Sequence, residues 1–142
     1  MRKARSIANF RVHLMTIEHL ALNVPDPVAM AAWYGQHLGM RVARKVGPPT
    51  NTHFIADAAG RTVLELYHQS KAPIPDYRSM DVFVFHIAFM AEDVAAERQR
   101  LLAAGATSAT EVTTADNGDV MTFLRDPWGV CIQLVKRAKA LL

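Results

Sequence analysis

The feature that most constrains the fold is an internal repeat that relates the two halves of the chain. The matching segments lie 66 to 69 residues apart. They are His19-Leu-Ala-Leu with His86-Ile-Ala-Phe, Asp26 with Asp93, Gly39 with Gly105, Leu64-Glu-Leu with Ile132-Gln-Leu, and the Asp57-to-Gly60 turn with the Asp126-to-Gly129 turn. Because the offset drifts by so few residues, we infer that two copies of one supersecondary unit follow each other along the chain.

Each copy has the pattern of a strand, a helix and three further strands. Asp26 and Asp93 are predicted N-caps, and Gly39 and Gly105 are predicted helix stops. In the first copy we expect a strand over 17–24, a helix over 27–38, and strands over 40–46, 53–57 and 62–69. In the second we expect a strand over 82–90, a helix over 94–104, and strands over 109–114, 120–125 and 130–136.

The predicted fold is therefore α+β, with two tandem βαβββ modules that form one curved, eight-stranded mixed sheet around a cleft. Module one covers residues 15–69 and module two covers residues 81–137 of a single domain, 15–137. A proline-containing linker, 70–80, joins them, and a short tail, 138–142, follows.

The basic charge of the chain is concentrated in its first 14 residues. This leader holds four basic residues and no acidic one, whereas 12 basic and 13 acidic residues follow from Met15 onward. The repeated body is thus close to neutral, which argues against a nucleic-acid or membrane partner. With a single cysteine, Cys131, and no run of 18 apolar residues, we expect a cytoplasmic protein.

Four polar side chains interrupt strands that are otherwise apolar: His19, Glu65, His86 and Gln133. A carboxylate between two leucines in a sheet costs free energy unless it is paired or binds a cation. The two histidines occupy equivalent repeat positions, and so do Glu65 and Gln133. A pseudo-twofold axis would bring all four to one place, where two imidazoles, a carboxylate and an amide oxygen could hold a metal ion.

Several segments resemble the vicinal oxygen chelate superfamily, which includes glyoxalase I, extradiol dioxygenases and bleomycin resistance proteins. The similar segments are Ile17-Glu-His-Leu-Ala-Leu, Trp33-Tyr-Gly-Gln-His-Leu-Gly-Met40, Val63-Leu-Glu-Leu, Phe85-His-Ile-Ala-Phe, and Phe123-Leu-Arg-Asp-Pro-Trp-Gly-Val-Cys-Ile-Gln-Leu. Together they cover roughly residues 15 to 137, and they are specific for the superfamily but not for one reaction.

The resemblance implies a divalent metal ion (Ni, Co, Zn, Mn or Fe) held by His19, Glu65, His86 and Gln133. It also implies a small-molecule substrate, a homodimer, and a lyase or isomerase reaction in which two neighbouring substrate oxygens bind the metal. Gln133 stands where the glyoxalase pattern has a glutamate, so Glu65 is the one predicted catalytic base. Tyr67, two residues from Glu65 on the same strand face, is a candidate substrate contact.

Two other functions remain open from the sequence. Two histidines and a carboxylate are also the ligands of non-haem Fe(II) oxygenases, so an extradiol-type dioxygenase is an alternative. Family dioxygenases, however, take their carboxylate from the final strand, where this chain has Gln133. The second alternative is a metal-free protein that binds small molecules such as drugs.

Overall fold

A computed structural model describes residues 15–61 and 63–141 of the chain. The predicted leader, 1–14, and the last residue of the predicted tail lie outside the described residues. The first module contains β1 (Leu20–Asn23), α1 (Pro27–Leu38), β2 (Arg41–Lys45), β3 (His53–Ala56) and β4 (Val63–Tyr67). The second contains β5 (Ile87–Met90), α2 (Val94–Ala103), β6 (Thr107–Ser108), β7 (Thr113–Thr114), β8 (Val120–Arg125) and β9 (Cys131–Lys136).

The two modules repeat one sheet topology. The first sheet has the order β1-β4-β3-β2, with β1 parallel to β4 and the other neighbours antiparallel. The second has the order β5-β9-β8-β6, with β5 parallel to β9 and with β7 also paired to β8. The predicted α+β fold with two βαβββ modules is confirmed, but the described residues form two separate sheets rather than one continuous eight-stranded sheet.

Both helices begin where their aspartate caps predict. A side-chain oxygen of Asp26 accepts a hydrogen bond from the Ala29 amide, and Asp93 accepts one from the Ala96 amide, both at 2.9 Å. These bonds satisfy amides that have no partner inside the helix. Gly39 ends α1 in the left-handed conformation, at φ 68°. Neither helix is long and apolar enough to cross a membrane, as judged over the described part of the chain.

The strand predicted over 82–90 is five residues shorter at its start, because Asp81 opens a turn. The Asp81 side chain accepts a hydrogen bond from the Phe83 amide at 2.8 Å, and its carbonyl accepts one from the Val84 amide at 3.0 Å. Such local bonds compete with a strand ladder. The segment 82–85 is therefore a turn, and β5 begins at Ile87.

The strand predicted over 109–114 is likewise interrupted, and its place is taken by β6 and β7. Between them, the Thr110 hydroxyl accepts a hydrogen bond from the Phe123 amide at 2.9 Å, while the Thr110 carbonyl accepts one from the Thr122 hydroxyl at 3.0 Å. Side-chain bonds thus replace part of the backbone ladder along β8. This substitution explains why residues 15–61 and 63–141 form nine strands where eight were predicted.

Helix α1 packs between the modules and fixes their arrangement. Trp33 contacts both apolar cores and donates a hydrogen bond to the Ala104 carbonyl at 2.9 Å. The buried Tyr34 hydroxyl donates to the Asp126 carboxylate, also at 2.9 Å. The linker is anchored as well, since Arg125 donates to the carbonyls of Tyr77 and Met80. The helix-covered faces of the sheets therefore meet inside one chain.

Candidate metal centre

Glu65 lies on the face of the first sheet that α1 does not cover. Along β4, Leu64 and Leu66 are buried, whereas Val63, Glu65 and Tyr67 are only half-buried. This alternation places Glu65 on the opposite face from the leucines that belong to the core. We call this the helix-free face of each sheet. In the first sheet it carries the cross-strand row Ala21, Glu65 and Phe54.

His19 meets Glu65 on that face. It precedes the first residue of β1, and its Nε2 atom lies 3.2 Å from Oε2 of Glu65. Its Nδ1 atom contacts the Glu18 carboxylate, and this contact raises the pKa of the His19 imidazole, with a smaller contribution from the charge of Glu65. The ring also packs edge-on against Phe54, with centroids 5.7 Å apart. Two candidate metal donors thus converge from adjacent strands.

His86 and Gln133 form the corresponding pair on the second sheet. His86 precedes β5, and its Nδ1 atom donates a hydrogen bond to the Val82 carbonyl at 2.8 Å. In a neutral imidazole with this bond, Nε2 carries the lone pair through which histidine binds metals. Gln133 is buried, and its amide nitrogen donates to the Met121 sulfur at 3.6 Å, so the amide oxygen is available as a ligand.

The two pairs have equivalent neighbours on the adjacent strands, including an aromatic side chain. Phe123 is the cross-strand neighbour of Gln133 as Phe54 is of Glu65, and Ala88 corresponds to Ala21 on the other side. The ring of Phe123 packs edge-on against His86, with centroids 5.3 Å apart. Neither phenylalanine was predicted from the sequence as a site residue. Their separation of 69 residues, which equals one of the repeat offsets, is the signal that could have identified them.

Within one chain the two pairs remain on different sheets. Over the described residues, no group of three or more His, Cys, Asp and Glu side chains is close enough to hold a metal ion. His19 and Glu65 come together, and His86 and Gln133 lie on the same face of the second sheet. We call each of these groups, with its neighbouring alanine and phenylalanine, a half-site.

The strands that carry these half-sites lie at the edges of their sheets. β1 pairs only with β4 and β5 pairs only with β9 among the described strands. Large apolar side chains are exposed along both edges: Ile17 is 91%, Phe83 is 80% and Met90 is 87% exposed. Unpaired edges with exposed apolar side chains are surfaces where another chain can add.

Two further side chains lie on the helix-free faces. Tyr67 is half-buried and lies two residues from Glu65 along β4, on the same face. Cys131 is buried on the same face as Gln133, and its burial raises the pKa of the thiol. The thiol is therefore kept protonated, and its position is that of a small packed side chain.

Several solved structures share this fold. A glyoxalase family protein from Bacillus cereus superposes with a TM-score of 0.73 at 18% identity, over 92% of this chain and 97% of that chain. One from Enterococcus faecalis gives a TM-score of 0.66 at 25% identity, over 85% and 97% of the two chains. A glyoxalase I mutant from Zea mays gives 0.68 at 23% identity, over 85% of this chain and 45% of the maize chain. No protein of curated function matches.

A family profile matches nearly all of the repeated region. The profile of the Glyoxalase/Bleomycin resistance protein/Dioxygenase superfamily aligns with residues 16–134. This range includes nearly all of both modules, the linker between them and the two half-sites. The chain belongs to the Glyoxalase/Bleomycin resistance protein/Dioxygenase superfamily.

Proposed function

We propose that this protein is a metal-dependent lyase or isomerase that acts on a small substrate with two neighbouring oxygens, and that its active form is a homodimer. The observation that carries the proposal is the pair of matched half-sites. His19 and Glu65 supply an imidazole and a carboxylate 3.2 Å apart, and His86 and Gln133 supply an imidazole and an amide. Two nitrogen and two oxygen donors suit a divalent first-row metal ion.

The packing of the two modules supports the proposed dimer. Helix α1 and the anchored linker hold the helix-covered faces together, so the half-sites cannot meet inside one chain without breaking those contacts. A second copy could instead pair its β1 edge with the β5 edge of the first. That arrangement would cover Ile17, Phe83 and Met90 and would join each His19–Glu65 pair to the partner copy's second half-site.

In the proposed reaction the four residues have different roles. A divalent cation held by His19, Glu65, His86 and Gln133 would polarise the two substrate oxygens and make the adjacent C–H bond acidic. Glu65 would take the proton from that carbon at a carboxylate oxygen and return it to the product. Gln133 has no titratable group, so it orients the site but cannot exchange this proton. A single base favours proton transfer on one face of the substrate.

Metal analysis tests the assignment. After loading with Ni²⁺ and desalting, we expect the Glu65→Ala and His86→Ala variants to lose the stoichiometric metal that the wild type retains. His53→Ala is the matched control, because His53 is buried on the helix-covered side and bonds the Asn51 carbonyl. Stoichiometric metal in both ligand variants would contradict the proposal.

An Fe(II) dioxygenase is the second candidate, because the donor set also contains two imidazoles and one carboxylate. The two functions differ in their use of oxygen. A lyase or isomerase works without oxygen and with Ni, Co, Zn or Mn, whereas a dioxygenase consumes oxygen and requires Fe(II). A metal-free binding protein would bind its ligand equally well after treatment with a chelator, so the same assays separate all three.

A further inference from the structure

A β-bulge brings an arginine to the face of the first sheet that carries Glu65. The register between β2 and β3 shifts between Val42 and Arg44, so Arg44 lies opposite Phe54. Without this shift Ala43 would face Phe54, and Arg44 would lie opposite His53, on the helix-covered side. Bulges of this kind redirect side chains next to functional sites. The inserted residue therefore changes which face carries the positive charge.

Arg44 completes one row across the sheet. Its neighbour Phe54 pairs with Glu65, which pairs with Ala21 at the β1 edge. Two strand spacings, about 10 Å, separate the backbone of Arg44 from that of Glu65. Phe54 lies between them and is half-buried, which leaves part of its ring accessible. The row thus presents a carboxylate, an apolar ring and a cation in order.

The charge of Arg44 is available for a ligand. All five residues of β2 are exposed. Arg44 makes no side-chain ion pair within residues 15–61 and 63–141. By contrast, Arg125 lies on the corresponding face of the second sheet and is already bonded. It donates hydrogen bonds to the carbonyls of Tyr77, Met80 and Gly129. The guanidinium of Arg41 lies beside Gly60, away from this row. Arg44 is therefore the arginine of this face that can meet a substrate.

We propose that Arg44 is a specificity-determining residue that binds a carboxylate of the substrate, at the end remote from the two neighbouring oxygens, while an apolar segment of the substrate lies on Phe54. The planar fork of a guanidinium binds a carboxylate through two parallel hydrogen bonds, and Arg44 offers one such fork at the end of the row. The proposal rests on the proposed function, because it takes the oxygens of the substrate to lie beside Glu65.

Two hydroxamate probes test this role. Benzohydroxamate offers two neighbouring oxygens on an aromatic ring, and 4-carboxybenzohydroxamate adds a carboxylate at the far end. We expect the Co²⁺-loaded wild type to bind the carboxylated probe about tenfold more tightly by calorimetry, since one charge-assisted bidentate contact has this magnitude. Arg44→Ala should bind both probes equally, with the affinity for benzohydroxamate unchanged. Higher ionic strength should reduce the wild-type preference.

Lys45→Ala is the matched control. Lys45 is the next cation on β2, but it pairs with His53 and so lies on the other face. This variant should keep the full preference for the carboxylated probe. Equal binding of the two probes by the wild type, or an equal loss of preference in Lys45→Ala, would overturn the role of Arg44 and leave the metal assignment intact. If benzohydroxamate binding does not depend on Co²⁺, the proposed function is wrong and the role of Arg44 fails with it.

Discussion

The two modules place nearly the same side chains in the same positions but distribute charge differently. Each half-site has a histidine just before the first strand, an alanine within that strand and a phenylalanine packed edge-on against the histidine. In the first half-site the histidine contacts the carboxylates of Glu18 and Glu65. In the second it contacts a backbone carbonyl and lies on the same face as Gln133. The first half-site therefore contains carboxylates, whereas the second contains an amide at the position equivalent to Glu65.

In the two equivalent turns, by contrast, it is the second module that has the more strongly bonded carboxylate. Asp57 in the first module is half-buried and caps its turn by accepting a hydrogen bond from the Arg61 amide at 3.0 Å. Asp126 in the second is 0% exposed and accepts bonds from the amides of Trp128 and Val130 and from the Tyr34 hydroxyl. The second module thus contributes a buried carboxylate that joins the modules, while the first contributes the carboxylate proposed for catalysis.

The largest expected effect comes from removing the buried turn aspartate. Asp126→Ala leaves two amides and the Tyr34 hydroxyl without their acceptor in a buried setting, so we expect the free energy of unfolding to fall by about 4 kcal/mol. Asp57→Ala, the equivalent change in the first module, should cost about 1 kcal/mol or less. Urea unfolding at pH 7 measures both. Equal losses in the two variants would remove the contrast between the turns.

A second effect is the pH dependence of stability. Burial raises the pKa of the Asp126 carboxyl from 3.8 to about 6. Between pH 3.8 and about 6 the folded state holds a proton on Asp126 that the unfolded state releases. The stability that comes from binding this proton is therefore complete below pH 4 and is lost as the pH rises to about 6. Its full size is about 3 kcal/mol.

Asp126→Asn should remove this dependence, because the amide does not titrate. The difference in unfolding free energy between wild type and Asp126→Asn, measured in urea from pH 4 to 7, should therefore change across this window. Asp57→Asn is the control and should track the wild type. A constant difference between wild type and Asp126→Asn over the whole range would show that Asp126 titrates normally.

The smallest effect concerns the two candidate ligands that differ. Glu65→Gln should weaken Ni²⁺ binding about tenfold, and Gln133→Glu should strengthen it about tenfold, because affinity follows the number of anionic ligands. The double variant, which exchanges the two side chains, should bind Ni²⁺ with nearly wild-type affinity. Competition with a fluorescent chelator measures all three. If the wild type and all three variants bind Ni²⁺ with the same affinity, neither Glu65 nor Gln133 is a metal ligand.

The repeat in the sequence was sufficient to predict most of the fold. Helix starts at Asp26 and Asp93 follow from local capping, and the repeated unit fixes the order of strands within each sheet. The turn at 82–85 was missed because Asp81 bonds its own backbone, which an apolar run of sequence conceals. The bulge at Val42 to Arg44 was missed because strand alternation assumes a regular register.

The candidate site could be predicted less completely from the sequence than the fold. Alternation along β4 correctly placed Glu65 and Tyr67 on one face, and the repeat identified the equivalent position at Gln133. Whether one chain closes on itself depends on how α1 packs between the modules, through Trp33 and Tyr34, and such contacts leave no periodic pattern. The union of the four residues in one metal site stays a prediction.

A heterodimer of two defective copies tests that prediction most directly. One copy carries His19→Ala and the other His86→Ala, each with its own affinity tag, so that doubly tagged heterodimers can be purified. If each site joins the first half-site of one copy to the second half-site of the other, one site in the heterodimer is intact. We predict about one Ni²⁺ per heterodimer and none in either defective homodimer. A heterodimer that binds no metal, while the wild type does, would contradict the shared site.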